Sequence, residues 1–256
     1  METIVHDRYG PAEVLAPQEH LARVTGFLYL IVAVLGMFAP VALQTLVAPG
    51  DAATTAANIL ASRWLFGSSL LAWIVLVVAD VAVAVTLYLL LEPTGRALSL
   101  LAAALRLVYA AILGALLRNL YDASLLLTGS GRGVGLDAAQ RQATALAALD
   151  TFSAGFLLAL VFFGIHLVAL GCLLSRSGYL PRVLGVLLIA AGGGYIADSL
   201  AHVFVAGYGG PVRAALLAPA VVGELGLTAW LLVKGVTVRQ DVVTTAPLAS
   251  ATGSTR

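Results

Sequence analysis

Five carboxylates lie inside the long apolar stretches of this sequence, where no water would solvate an ionised group. They are Asp80, Asp122, Asp150, Asp198 and Glu224. Buried carboxylic acids can serve as general acids, relay protons or hold cations. Five other polar residues share the same stretches, and any of them can compensate these charges: Arg106, Arg118, Asn119, His166 and His202.

Asp80, Arg106 and Glu224 lie nearest the middle of their apolar stretches and are the candidates for a catalytic or transport site. A charge at the centre of a spanning helix costs about 2.5–3.5 kcal/mol, so all three should face the bundle interior. Arg106 could bridge both carboxylates. The set is either a structural ion pair that fixes helix registry, or a proton relay or substrate site. Glycines flank Glu224, which leaves room for a neighbouring helix or a ligand.

A second intramembrane polar group lies nearer the ends of the apolar stretches that face away from the chain termini: Arg118, Asp122, Asp150, Asp198 and His202. The spacing of four residues places Arg118 and Asp122 on one helix face, and Asp198 with His202 on another. These donor types could hold a divalent metal. However, one histidine is too few for typical zinc catalysis, and no HExxH or cysteine motif accompanies it. We therefore predict no metal, and expect local hydrogen bonds with an Arg118–Asp122 pair.

The remaining motifs carry no recognisable chemistry. His166 follows Asp150 by sixteen residues, which places the two on nearly opposite sides of a helix, so His166 should be a neutral, hydrogen-bonded packing residue. The glycine-rich residues 128–135 lack the lysine and the preceding strand of a phosphate-binding loop, which favours a linker. No nucleophile elbow or dinucleotide fingerprint occurs, and no cofactor is predicted.

The composition indicates that lipid surrounds the elements that position these groups. The chain is 61% hydrophobic and 11% charged, with a mean hydropathy of +1.00. Soluble domains are about 25% charged, so this chain has too few charges to solvate a water-exposed surface. The net charge of +1 and the lack of polybasic runs argue against nucleic acid as a partner. The expected partner is the lipid bilayer.

Six stretches are long enough for the roughly 20 apolar residues that a spanning helix needs. Strands or loops would leave backbone groups unpaired in lipid, so we predict an all-α polytopic transmembrane bundle of six helices. A polar N-terminal segment should cover residues 1–21, the six-helix domain residues 22–236, and a disordered tail residues 237–256. The spans are expected near residues 25–46, 64–91, 97–127, 137–174, 183–205 and 214–233, with a short surface helix over 52–62. Asp51 is placed to cap the short helix, and Asp137 to cap the fourth span.

Basic residues predict the orientation, because they are retained on the cytoplasmic side. Eight arginines and lysines fall on the side of the termini and four on the other, so both termini should be cytoplasmic and the protein a multi-pass protein of the cell membrane. Small residues at 190–194, and the pair Ala110 and Gly114, let helices approach closely. These faces serve contacts within the bundle or a homo-oligomer, and the sequence leaves both open.

Four segments carry a family resemblance: ARVTGFLYL, PGDAATTAANILASRWLF, SGYLPRVLGVLL and GELGLTAWLLVKGV. In this order and spacing they resemble a bacterial membrane-protein family catalogued as domain of unknown function 4386. The resemblance covers roughly residues 20–236 and implies a multi-pass integral membrane protein. It implies no substrate, cofactor or catalytic residue.

Three functions remain open from the sequence. The first is a structural or regulatory membrane protein, favoured by the absence of catalytic motifs. The second is a small proton-coupled transporter that uses the buried carboxylates. The third is an intramembrane enzyme in which Asp80 or Glu224 acts as a general acid on a lipid-like substrate. A closed interior, with no cavity reaching the acids, would exclude the third.

Overall fold

The computed structural model describes residues 11–129, 133–178 and 180–235, with side chains from residue 18 onward. Within these ranges the chain is all-helical, and six of the helices are long and apolar enough to cross a membrane, which confirms the predicted fold class. The predicted tail and residues 1–10 lie outside the described residues. The helices are α1 Pro11–Gln44, α2 Ala52–Ala61, α3 Arg63–Leu91, α4 Arg96–Thr128, α5 Ala138–Ser177, α6 Arg182–Phe204 and α7 Gly210–Val233.

Helix ends follow local capping chemistry. Asp51 caps α2, its carboxylate accepting from the Thr54 backbone N–H at 2.9 Å and from the Thr54 hydroxyl at 2.6 Å. These bonds hold the pKa of Asp51 below its usual value. Asp137 forms the predicted cap of α5, in a reciprocal capping box with Gln140. Gly129 ends α4 in the left-handed region at φ +73°.

The one substantial difference in element bounds is at the N-terminus. The helix α1 begins at Pro11, so part of the predicted polar segment is helical. The apolar span within it starts near Gln18. Helix propensity extends the helix past the membrane boundary, because residues such as Glu and Gln are good helix formers in water.

The six long helices form a closed ring. Neighbours around it are α1–α3, α3–α4, α4–α5, α5–α6, α6–α7 and finally α7–α1, while α2 lies mainly against α5. Because there are six spans, the start of α1 and the end of α7 lie on the same side. We call this the terminal side; it also holds the turn at 92–95, the end of α5 and the start of α6. The opposite side, the loop side, holds α2 and residues 205–209. The cytoplasmic location of the terminal side stays a prediction.

Glycines set the closest helix contacts in the ring. A side chain at Gly192 would overlap the backbone of Gly164 on α5, and one at Gly194 would overlap Leu216 on α7. At the terminal end of the α1–α7 junction, a methyl group on Gly26 would lie 2.9 Å from the Leu232 nitrogen. These small-residue contacts are therefore internal. Gly193 faces open space, so a homo-oligomer through that face stays a prediction.

Candidate functional site

Four helices meet at Arg106, whose side chain is fully buried. On α4 it donates to one oxygen of Asp80 on α3, through Nε at 2.9 Å and Nη2 at 2.5 Å. Its Nη1 lies 2.8 Å from the Tyr29 hydroxyl on α1 and 3.2 Å from Nε2 of His166 on α5. We call these four residues the Arg106 network. The guanidinium also lies over the Tyr29 ring, 4.8 Å from its centroid.

His166 is buried and hydrogen-bonded, as expected, but its role in the Arg106 network was not predicted from the sequence. Its Nδ1 lies 2.8 Å from the carbonyl oxygen of Ala102. A carbonyl only accepts, so Nδ1 carries the proton and Nε2 is the acceptor for Arg106. Helical spacing relates His166 only to Asp150, which lies on the same helix. Asp150 is exposed on α5 and shares no site with it.

Only one oxygen of the Asp80 carboxylate is hydrogen-bonded within the described part of the chain. Both bonds from Arg106 reach Oδ1, whereas the buried Oδ2 has no hydrogen-bond partner among the described residues. Asp80 also lines the central cavity. One oxygen of this carboxylate therefore belongs to the network, while the other is buried without a described partner.

Glu224 is arranged differently from the expectation that Arg106 bridges both carboxylates. The direct contacts of Arg106 are to Asp80, Tyr29 and His166, whereas Glu224 on α7 accepts a hydrogen bond from the Tyr195 hydroxyl on α6 at 3.0 Å. Arg106 does not pair with Glu224 because its guanidinium already bonds to Asp80, Tyr29 and His166. Among the described contacts, the Glu224 carboxylate has a neutral partner and no cation.

A cavity of about 720 Å³ lies inside the ring and reaches three carboxylates, those of Asp80, Asp198 and Glu224. Its wall includes six aromatic side chains: Trp73, Tyr109, Phe152, Phe156, Phe163 and Tyr195. Volumes of about 300–1,000 Å³ are typical of small-molecule sites. The interior is therefore not closed, and the acids predicted to face it line a space large enough for a ligand.

The cavity occupies the loop-side half of the bundle. On α1 its wall runs from Val32 to Gln44, and on α7 from Arg213 to Leu225. Toward the terminal side, α1 and α7 close against each other at Gly26. Two wall residues at the α1–α7 junction, Met37 and Val221, are 68% and 59% exposed, so the junction also opens sideways toward lipid.

Asp198 forms a cluster at the loop-side end of the cavity. Its Oδ1 accepts from the Tyr208 hydroxyl at 2.8 Å and lies 3.2 Å from Nε of Arg213. The predicted neighbour His202 lies 3.7 Å away through Nδ1, which is closer to the Asp198 carbonyl oxygen at 2.8 Å. Desolvation and the adjacent Asp198 carboxylate raise the pKa of Tyr208 in the 205–209 loop. Arg213 and Tyr208 were not among the site residues predicted from the sequence, because they come from the next helix and from a loop.

The remaining members of the second intramembrane polar group, Arg118, Asp122 and Asp150, do not join the cluster around Asp198. Arg118 and Asp122 form the expected pair at 3.6 Å, largely exposed at the arginine. Asp122 lines a separate, smaller cavity, and Asn119 bonds to the Leu116 carbonyl of its own helix. No group of three or more His, Cys, Asp or Glu side chains suited to a metal occurs in the described part of the chain.

Comparison with known proteins finds a family model and a relative that match this chain. A family model described as Domain of unknown function (DUF4386) matches residues 24–235. A relative from Archaeoglobus fulgidus, titled "Uncharacterized protein", is 33% identical over 160 residues, which are 62% of this chain and 79% of the relative. No solved structure matches the chain.

Proposed function

We propose that this chain, which belongs to the family described as Domain of unknown function (DUF4386), is a small proton-coupled transporter whose substrate occupies the central cavity. The observation that carries the proposal is one cavity that reaches three buried carboxylates and stops short of the terminal side. A transporter needs a central site open to one side of the membrane at a time. The packing of Gly26 against Leu232 supplies the closed side.

Charge balance supports coupling to protons. An ionised carboxylate within a membrane requires a compensating cation. Asp80 has Arg106 and Asp198 has Arg213, but the hydrogen bond to Glu224 comes from neutral Tyr195. A proton is the simplest counter-charge for Glu224, and a substrate that reaches this carboxylate would compete with that proton. Glu224 is therefore the residue at which proton loading and substrate binding exclude each other.

Prolines in both helices at the junction supply bending points. Pro40 in α1 and Pro219 in α7 have no N–H, so the Gly36 and Ala215 carbonyls lack their helical donors. Pro40 and Gly36 line the cavity, and Pro219 lies five residues before Glu224. Prolines are the usual cause of helix kinks. Bending at these two positions would change which end of the α1–α7 junction is closed.

Cysteine labelling tests the open side. In a Cys172→Ser background, Leu217→Cys places a thiol in the cavity wall, and Val78→Cys places one on the 65% exposed, lipid-facing side of α3. A membrane-impermeant thiol reagent should label Leu217→Cys from the loop side of oriented vesicles, and should not label Val78→Cys. Equal protection of both cysteines from both sides would contradict a water-accessible cavity.

Flux measurements test transport itself. Proteoliposomes carrying an internal pH dye are challenged with a solute panel. An active solute should drive proton movement in the native protein and in Asp150→Asn, an exposed carboxylate outside the cavity, but not in Glu224→Gln. Absence of flux for the whole panel would overturn the transport proposal.

The lateral opening at Met37 and Val221 favours a second function, an intramembrane enzyme acting on a lipid-like substrate. Glu224 or Asp80 would be its general acid. Mass spectrometry of the lipids in the same vesicles separates the two: the enzyme would leave a chemically altered lipid that is absent with Glu224→Gln, whereas a transporter leaves the lipids unchanged.

A further inference from the structure

We infer that the cavity takes an organic cation with an apolar body, an inference that rests on the proposed function and names its substrate class. The juxtaposition behind it is that of three carboxylate residues and six aromatic side chains around one space.

The charges that face the cavity are predominantly negative. Asp80, Asp198 and Glu224 line it, whereas Arg213 is the guanidinium among its described lining residues. Arg213 is already paired with Asp198 at 3.2 Å. Arg106 is fully buried behind Asp80 and is not part of the wall. With Asp80 paired to Arg106 and Asp198 to Arg213, Glu224 is the wall carboxylate without a cation among the described contacts, so a cationic ligand would balance its charge and an anionic ligand would not.

The aromatic wall suits the same ligand. Trp73 packs edge-on against Phe152 and Phe156, with ring centroids 5.3 and 5.1 Å apart, and Tyr109 lies 4.9 Å from Phe163. Aromatic faces attract cations, and aromatic cages beside carboxylates recognise ammonium groups. Phe163 already shows this affinity, since the Arg106 guanidinium lies 5.3 Å from its ring centroid.

The size of the cavity distinguishes an organic cation from a metal ion. About 720 Å³ is far more than a bare ion fills, and most of the wall is apolar. An apolar body covers that surface while a cationic group meets Glu224 and Asp80. If Glu224 is protonated before loading, a monovalent cation displaces that proton into water on the loop side, and the net charge of the cavity is unchanged.

Two probes of nearly the same shape and opposite charge test the inference: tetraphenylphosphonium and tetraphenylborate. Purified full-length protein carries Trp64→Phe and Trp230→Phe, so Trp73 in the cavity wall is the fluorescent reporter. Tetraphenylphosphonium should change Trp73 fluorescence saturably and tetraphenylborate should not. Glu224→Gln should weaken the cation's apparent affinity by about tenfold or more, the loss of one charge-assisted contact. Asp150→Asn should leave it within about twofold.

Each other outcome has a distinct meaning. Equal binding of both ions, or an affinity for the cation that Glu224→Gln leaves unchanged, would overturn the cation inference. If an uncharged analogue such as triphenylphosphine oxide then binds and drives proton flux, the transport proposal stands with a different substrate class. If no probe alters Trp73 and the panel gives no flux, both proposals fail. Thermal unfolding and gel filtration in detergent confirm that Glu224→Gln is folded.

Discussion

Arg106 and Glu224 both carry ionisable groups deep in the bundle, but the partners around the two groups differ. Arg106 is enclosed by Asp80, Tyr29 and His166 from three other helices. Glu224 has one neutral partner, Tyr195, and faces a cavity. A charge whose partners are all supplied by the fold fixes the arrangement of helices. A charge left short of partners is available for binding or proton transfer.

Asp80 connects the two regions. Its Oδ1 belongs to the Arg106 network, and the residue also lines the cavity that Glu224 lines. The sequence left two interpretations of the inner acids open, a structural pair and a working site. The contacts of Arg106 fit the first, and we propose the second for Glu224.

The largest effect is expected from Arg106→Met, which leaves the Asp80 carboxylate buried without its cation. Breaking a buried ion pair from one side costs about 3–5 kcal/mol. We expect little folded protein, with a strongly lowered thermal midpoint in detergent. The control Arg118→Met alters an ion pair whose arginine side chain is 69% exposed and should change stability little. Equal behaviour of the two variants would contradict a structural role for the Arg106 network.

A smaller effect is expected from His166→Phe, which removes an acceptor from Arg106 and a donor from the Ala102 carbonyl. Leaving buried groups unpaired costs about 1–3 kcal/mol. Tyr195→Phe should cost less, because Glu224 faces a cavity rather than close-packed protein. Thermal unfolding of both variants measures the two losses of stability. A larger loss in Tyr195→Phe than in His166→Phe would contradict the difference proposed between Arg106 and Glu224.

Glu224→Gln should separate function from stability. The amide retains an acceptor for the Tyr195 hydroxyl and removes an uncompensated charge. We expect a thermal midpoint equal to or above that of the native protein, together with the loss of flux described above. A midpoint lowered as far as in Arg106→Met would show that Glu224 belongs to the scaffold.

The smallest effect concerns Asp51, at the surface and outside both regions. Hydrogen bonds from Thr54 depress the pKa of Asp51 in the folded protein. Its contribution is therefore present above the unfolded pKa of about 3.9 and is lost as pH falls through the lower folded value. Hydrogen exchange at α2 should increase over that acidic range in the native protein, and not in Asp51→Asn. Parallel pH profiles for the two proteins would exclude this linkage.

The sequence predicted the elements better than the partners within them. Hydropathy and length located six spans, and side-chain chemistry located the caps at Asp51 and Asp137. The Arg118–Asp122 pair followed from helical spacing alone. Depth along the spans also placed Asp80 beside Arg106. Each of these depends on local order in the chain.

What the sequence could not give is the rotation of each helix about its axis. Spans that are apolar on every side offer no polar stripe to orient them. Tyr29, His166 and Tyr195 were therefore missed as partners, and Arg106 was wrongly expected to reach Glu224. The available signal was depth: a hydroxyl or imidazole at the level of a buried charge is a candidate partner.

The order of the ring has a consequence for biosynthesis. All four residues of the Arg106 network lie on helices synthesised before α6 and α7, whereas Asp198 and Glu224 lie on those last two. Because translation delivers the N-terminal helices first, Arg106 can pair with Asp80 before α6 and α7 leave the ribosome. Helix α1 can pack against α7 only after α7 has been synthesised. The cavity wall at the α1–α7 junction therefore forms only when synthesis of the chain is nearly finished.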